Sequence, residues 1–349
     1  MKTNKIFSIG LILTIVLLSS LCACSKKEES TTSSQNDKVN IEIVEQLGEN
    51  PLTGLSIDEK DEKNRPIGVM INNISQAQPL LGVSQADIMY ECLVEGGITR
   101  ILALFQNPIS IEKIGSVRSA RPPFINIALG HDAIYCHIGG STEATQMLKS
   151  NQIDSFDLGV YQDMMWRDQT RMNNLGYEHS ALTSGKKLIN GIENHGTRTT
   201  LKSGVATQKF SDNSPVKSGQ SANQITAGFS TYKTTSFNYD KEKNAYLISQ
   251  FGSAQLDGNN GEQNSKANVL ILNVNSRVSD DEGHVALDLL NSSGTGKYFY
   301  GGKYIDIKWS KKSANSQIKY QTADGNELAL AKGQIYVCMV PLDADITIH

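Results

Sequence analysis

Residues 86–107 read ADIMYECLVEGGITRILALFQN, two apolar runs (87–94 and 98–105) on either side of Glu95-Gly96-Gly97. Each run has the length of a strand, and a Gly-Gly step supplies the positive φ angles that a tight turn between antiparallel strands needs. A β-hairpin is therefore expected. The runs are almost continuously apolar rather than alternating, which predicts strands covered on both faces. Upstream, Pro66–Met70 in RPIGVMINN is another buried-strand candidate, closed by the turn-prone Asn72 and Asn73. Downstream, GSVRSARPPFINIALG gives a turn and a helix from about Pro122, where proline suits the first helical turn. HDAIYCHIGG reads as one more strand, Ser141 as the N-cap of a following helix, and 184–194 as a further helix. This interleaving defines an N-terminal mixed α/β domain over 50–204.

Beyond it the pattern changes. Residues 202–224 are rich in Ser, Asn, Gly and Lys and mark the domain boundary. From there the chain is short Tyr-, Ile-, Val- and Phe-rich runs at period two, broken by turns. A smaller, mostly-β domain over 205–349, sandwich or barrel-like, is expected, and the whole chain is α+β.

At the other end, residues 1–30 carry Lys2 and Lys5, an apolar run from Ile6 to Leu18, then Leu21-Cys22-Ala23-Cys24. The run has the length of a signal-peptide core and is short for a membrane span. The four residues resemble a bacterial lipobox with Cys24 as the lipidated residue, because Ala23 supplies the small residue before it. The expected product is a lipoprotein: signal peptide 1–23, flexible tether 24–49, and a body held on the extracytoplasmic face of the cell membrane by a lipid anchor. Removing Lys2 and Lys5 takes the net charge from −3 to −5. An acidic chain gives no reason to expect nucleic acid as a partner. Cys92, Cys136 and Cys338 lie in apolar contexts and read as buried thiols.

The chemistry-bearing residues are mostly basic. Arg100 closes the EGGITR turn, Arg118 and Arg121 sit in GSVRSARPPF, and Arg167 and Arg171 sit in WRDQTR. A guanidinium is a planar fork of donors matched to carboxylate or phosphate. Arg118 and Arg121 precede a helix whose first N–H groups would add to anion attraction. The opposing reading pairs these arginines internally with Asp87, Glu91, Glu95 and Asp168. His137 and His179 would join an anion pocket, with Glu95 and Asp168 as candidate base or metal ligand. No zinc spacing or calcium loop appears, so no metal or other cofactor is expected. SSGTGKYF lacks both the first glycine and the hydroxyl residue of a phosphate-binding P-loop.

At these residues the chain resembles the YerB-like bacterial lipoproteins, a two-part family of unknown function. NPLTG, RPIGVMINN, the hairpin, GSVRSARPPF, HIGGS, WRDQTR and EHSALTS carry the resemblance in the first half. NVLILNV, GTGKYFYGGKYIDIKWSK and DGNELALAKGQIYVCMVP carry it in the second. Gln78-Pro79 and Gln255 depart from the family pattern, which tends to place Arg before that proline and His at the second position. The resemblance implies an envelope protein and no particular reaction. The leading expectation is a binding protein that takes a partner, such as peptidoglycan-synthesis proteins, or an anionic envelope component through the arginines. An enzyme acting on polyprenyl-phosphate-linked or other phosphorylated cell-wall glycans is the alternative, and a solute-binding lipoprotein the third; whether there is turnover is not decided by the residues.

Overall fold

The computed structural model describes residues 47–150 and 153–349. The signal peptide, Cys24 and residues 24–46 of the expected tether lie outside the described residues. Leu47–Glu49, assigned to the tether from composition, instead forms a strand antiparallel to Ser56–Asp58. The NPLTG turn closes it, with Gly54 N donating to Asn50 O at 2.8 Å and Gly54 at φ 68°.

The hairpin forms as its residues require. Ile88–Leu93 and Thr99–Phe105 pair antiparallel, with Gly96 and Gly97 at φ 64° and 71° in the connecting turn. Ile67–Asn73 pairs antiparallel with Thr99–Phe105 and parallel with Ile134–His137, which pairs parallel with Ser155–Asp157. The helices Pro122–Gly130, Thr142–Ser150 and Gly185–Asn194 fall where the Pro122 start, the Ser141 cap and the 184–194 reading placed them. Ser141 Oγ accepts from Ala144 N at 3.2 Å, and Ser184 Oγ from Lys187 N at 3.2 Å.

The strands on both sides of residue 204 meet in one eleven-stranded sheet. Ile335–Val340 is the seam, parallel to Ile88–Leu93 on one side and to Asn268–Asn273 on the other. Ser292–Tyr300, Lys303–Lys311 and Lys319–Thr322 continue the sheet outward. A second, six-stranded sheet runs through Ala245–Gln250, Thr234–Asp240 and Gln224–Gly228 and ends at the edge strand Ile346–Ile348. This is a sandwich of two open sheets. The barrel alternative does not hold, because the hydrophobic faces of the second sheet find cover on the first and need no closure.

Both faces of the central strands are covered, which is why Ile67–Asn73 and Thr99–Phe105 are buried along their whole length. On one face Val69, Met89, Ile101, Val269 and Tyr336 pack with Ile225, Phe237, Tyr246 and Ile248 of the second sheet. On the other, Met70, Tyr90, Leu102 and Leu104 pack with Phe124, Ile125 and Ala128 of the helix. Each such side chain contributes about 1.5–3 kcal/mol, several times the worth of an exposed ion pair. Packing holds this fold. Cys92, Cys136 and Cys338 are buried free thiols within it.

One charged contact ties the sheets together. Glu91 is fully buried and its carboxylate accepts from Asn73, Thr99, Thr235 and Tyr336 at 2.7–2.8 Å and pairs with Lys233 Nζ at 3.0 Å. A buried carboxylate is tolerated only with such partners. That environment makes Glu91 a structural link and not the partner of an arginine.

Candidate functional site

The parallel strands Ile67–Asn73 and Ile134–His137 end side by side, and the segment Gly115–Arg121 crosses their carboxyl ends. Asn72 N donates to Ser116 O (2.9 Å), Arg118 N to Met70 O (3.0 Å), Ile138 N to Arg118 O (3.1 Å) and Ala120 N to Gly139 O (2.9 Å). Strand ends of this kind are where open α/β sheets place ligands. The crossing fixes Arg118 and Arg121 there, beside Arg100 from the neighbouring strand.

Arg100, Arg118 and Arg121 converge, and two carboxylates serve the three of them. Arg100 Nη2 and Arg121 Nη2 both donate to Glu95 Oε1 at 2.6 Å, and Arg121 Nε donates to Glu95 Oε2 at 2.9 Å. Arg118 donates to Glu178 O (3.2 Å) and Glu178 Oε2 (3.1 Å), while its Nε is buried without a partner. Burial above all pushes the Arg100 guanidinium down to about 10, with the charges of Arg121 and Arg118 adding to it and Glu95 opposing it. Burial raises the Glu95 carboxyl, but the Arg121 hydrogen bond and the two guanidinium charges outweigh it and leave it below its ordinary value. A general base working near neutrality needs the opposite shift. Glu95 is the counter-ion of the cluster.

Other expected site residues have structural duties. Arg171 is buried and donates to three carbonyls: His179 O (2.9 Å), Pro79 O (2.9 Å) and Ala77 O (2.6 Å). Asp168 caps the helix Gln169–Leu175, its Oδ1 accepting from Arg171 N at 2.9 Å. Arg167 lies over the Tyr177 ring at 3.9 Å and donates to Tyr177 O at 2.8 Å. These three shape the 177–180 turn that presents Glu178. His137 Nδ1 donates to Gly139 O at 2.7 Å, and burial holds the ring below its ordinary pKa. His179 Nδ1 accepts from Asn72 Nδ2 at 2.9 Å, which places its proton on Nε2, 3.4 Å from Glu178 Oε1. The helix start adds nothing: Pro122 and Pro123 have no N–H, and Phe124 N is spent on Arg121 O at 3.1 Å.

Glu178 and His179 form one wall of a cleft of about 540 Å³. Asn73, Ser75, Gly97 and Ile98 line it from the first half of the chain; Tyr232, Lys233 and Phe251 line it from the second. Asn73 Oδ1 is buried there without a partner. Tyr232 is 85% exposed, so the cleft has an aromatic rim. None of the second-half residues carries a sequence motif. Among the described residues no group of acidic, His and Cys side chains is arranged to hold a metal.

Fold and site together define a two-part α+β protein whose halves share a sheet and in which three of the five expected arginines, Arg100, Arg118 and Arg121, gather at its parallel strand ends. The chain belongs to the DUF3048 family. Its N-terminal domain model, described as a protein of unknown function, matches residues 52–198, and the C-terminal domain model matches 225–337. A Bacillus subtilis (strain 168) protein named "Putative lipoprotein YerB" is 31% identical over 299 residues, covering 84% of this chain and 87% of that protein. The crystal structure of YerB protein from Bacillus subtilis superposes with a TM-score of 0.75 at 30% identity, covering 86% of this chain and 99% of that one.

Proposed function

We propose that this protein is a membrane-anchored lipoprotein of the cell envelope that binds an anionic ligand, phosphorylated or carboxylated, beside Arg118. The Arg118–Glu178 pair carries this reading. The Glu178 side chain is 62% exposed, so it can turn into water at the modest cost of a surface ion pair, about 0–1 kcal/mol. An incoming oxyanion then takes the Nη2 donor and the unpartnered Nε, the side-on bidentate geometry that arginine offers. Arg100 and Arg121 stay on Glu95 and supply a local excess of positive charge. The anchor is supported by the Leu21–Cys24 motif and by the name of the Bacillus relative.

Thermal unfolding with added pyrophosphate tests the site. The wild type gains stability with ligand concentration by mass action, about 2.7 kcal/mol at a hundredfold excess over Kd. Arg118→Ala unfolds within a few degrees of the wild type without ligand and loses the ligand-induced shift. Equal shifts in both proteins, or an Arg118→Ala chain that does not fold, sink the reading. For the anchor, Cys24→Ala is expected to move the protein from the membrane to the soluble fraction and abolish palmitate labelling.

A further inference from the structure

A second hollow of about 440 Å³ adjoins the cleft, the two sharing Ser75 and Phe251. Its lining has no ionisable side chain. Gln78 and Gln255, from the two halves of the chain, both line it, and the Nε2 of each is buried without a partner. Gln255 is 2% exposed and its other amide end is held by Asn264 Nδ2 at 2.8 Å, which fixes the side chain. Gln250, also in the lining, is spent on Lys233 Nζ (2.8 Å) and Tyr336 Oη (3.1 Å). Two neutral donors are therefore on offer, a rare condition for buried amides.

The rim is apolar. Phe251 is 39% and Leu256 44% exposed. Phe251 and Gly252 form the two-residue loop between Gln250 and Ser253, with φ 54° and 76°. Positive φ at both positions is the I′ geometry, which favours Asn-Gly. The other non-glycine residues with positive φ among the described residues are Asp132, Asn244 and Asn291. A bulky aromatic there works against the turn. Local rules broken in this way are expected where a side chain serves a ligand.

We propose that this hollow binds an uncharged saccharide. Sugar hydroxyl or acetamido oxygens accept from Gln78 and Gln255, and the C–H face of the ring lies on Phe251. A charged ligand would find no counter-ion in the lining, and a purely apolar one would leave both amides unpaired. The inference does not depend on the anion reading, because it uses different donors.

The test is calorimetric titration of the full chain in detergent with N-acetylglucosamine trimer, with pyrophosphate as the parallel probe. Wild type is expected to bind the trimer below about 1 mM. Gln78→Leu removes an unpaired donor and Phe251→Asn restores the favoured turn residue, so both are expected to match or exceed the wild-type Tm. Both lose trimer affinity by about tenfold or more, while Gln78→Leu keeps pyrophosphate binding. No trimer binding by wild type, or unchanged affinity in the two variants, overturns the proposal. Loss of pyrophosphate binding in Arg118→Ala with trimer binding intact reports on the other site alone.

Discussion

Arg118 and Arg171 look alike in the sequence and differ in what their guanidinium groups meet. Arg171 satisfies three carbonyls, one on the nearby His179 and two on the distant Ala77 and Pro79. Removing it orphans those acceptors, so Arg171→Met is expected to lower stability by about 3 kcal/mol, read as a urea midpoint. Arg118→Ala gives up only the exposed carboxylate and the carbonyl of one residue, Glu178, and costs far less. The sequence reading placed all five arginines in turns or at element ends; Arg171 instead lies within the helix Gln169–Leu175, and nothing local separated it from Arg118. Whether a guanidinium meets a carboxylate or a carbonyl is set by segments dozens of residues away, such as Ala77 and Pro79 for Arg171. Glu178 was missed as Arg118's partner for the same reason. Phe251-Gly252 did leave a local trace, since an aromatic precedes glycine where a hairpin turn favours Asn.

Between elements, the contact with most at stake is the Glu91–Lys233 pair joining the strand Ile88–Leu93 to the turn after Gly228. Both side chains are almost wholly buried, at 0% and 2% exposure. Lys233→Met alone leaves Glu91 charged in a dry site and is expected to cost about 3–5 kcal/mol. Adding Glu91→Gln removes the orphaned charge, so the double variant is expected to recover part of that loss. A double-mutant cycle by urea unfolding measures it, and additive losses would refute the pairing. Element type was legible where a local signal marks it: the Gly-Gly hairpin, the Pro122 start and the Ser141 cap are such signals, and local geometry obeyed them, whereas the strand Leu47–Glu49 and the helix Gln169–Leu175 carried none that was read. The anion role expected of the Pro122 helix start was not, because the prolines that start the helix also remove its donors.

In the whole molecule, the change in composition near residue 204 is not a break in the sheet. Ile335–Val340 pairs with Ile88–Leu93 across it, and parallel pairing between distant strands leaves no signature in either strand alone. Residues 50–204 expressed alone would expose the Ile88–Leu93 edge and are expected to aggregate, which size-exclusion chromatography would report; a monomeric, cooperatively unfolding fragment would contradict this. Stability also depends on pH in a stated direction. Burial holds His131 down to about 3, so the fold keeps it neutral while the unfolded chain takes up a proton below about 6.5. The unfolded state then binds more protons, and stability falls with pH between those values by up to about 1.4 kcal/mol per pH unit for this group. Burial lowers His137 and His179 as well, and the arginines hold Glu95 below its unfolded value against burial, so all act in the same sense. Urea midpoints from pH 7 to 4 are expected to fall, less steeply in His131→Gln.

The most direct measurement is a crystal of this protein soaked in pyrophosphate. The predicted result is anion density within hydrogen-bond reach of Arg118 Nε and Nη2, with the Glu178 carboxylate swung into solvent and Glu95 still clamped by Arg100 and Arg121. An intact Arg118–Glu178 pair at saturating pyrophosphate, with density elsewhere or nowhere, would contradict the account.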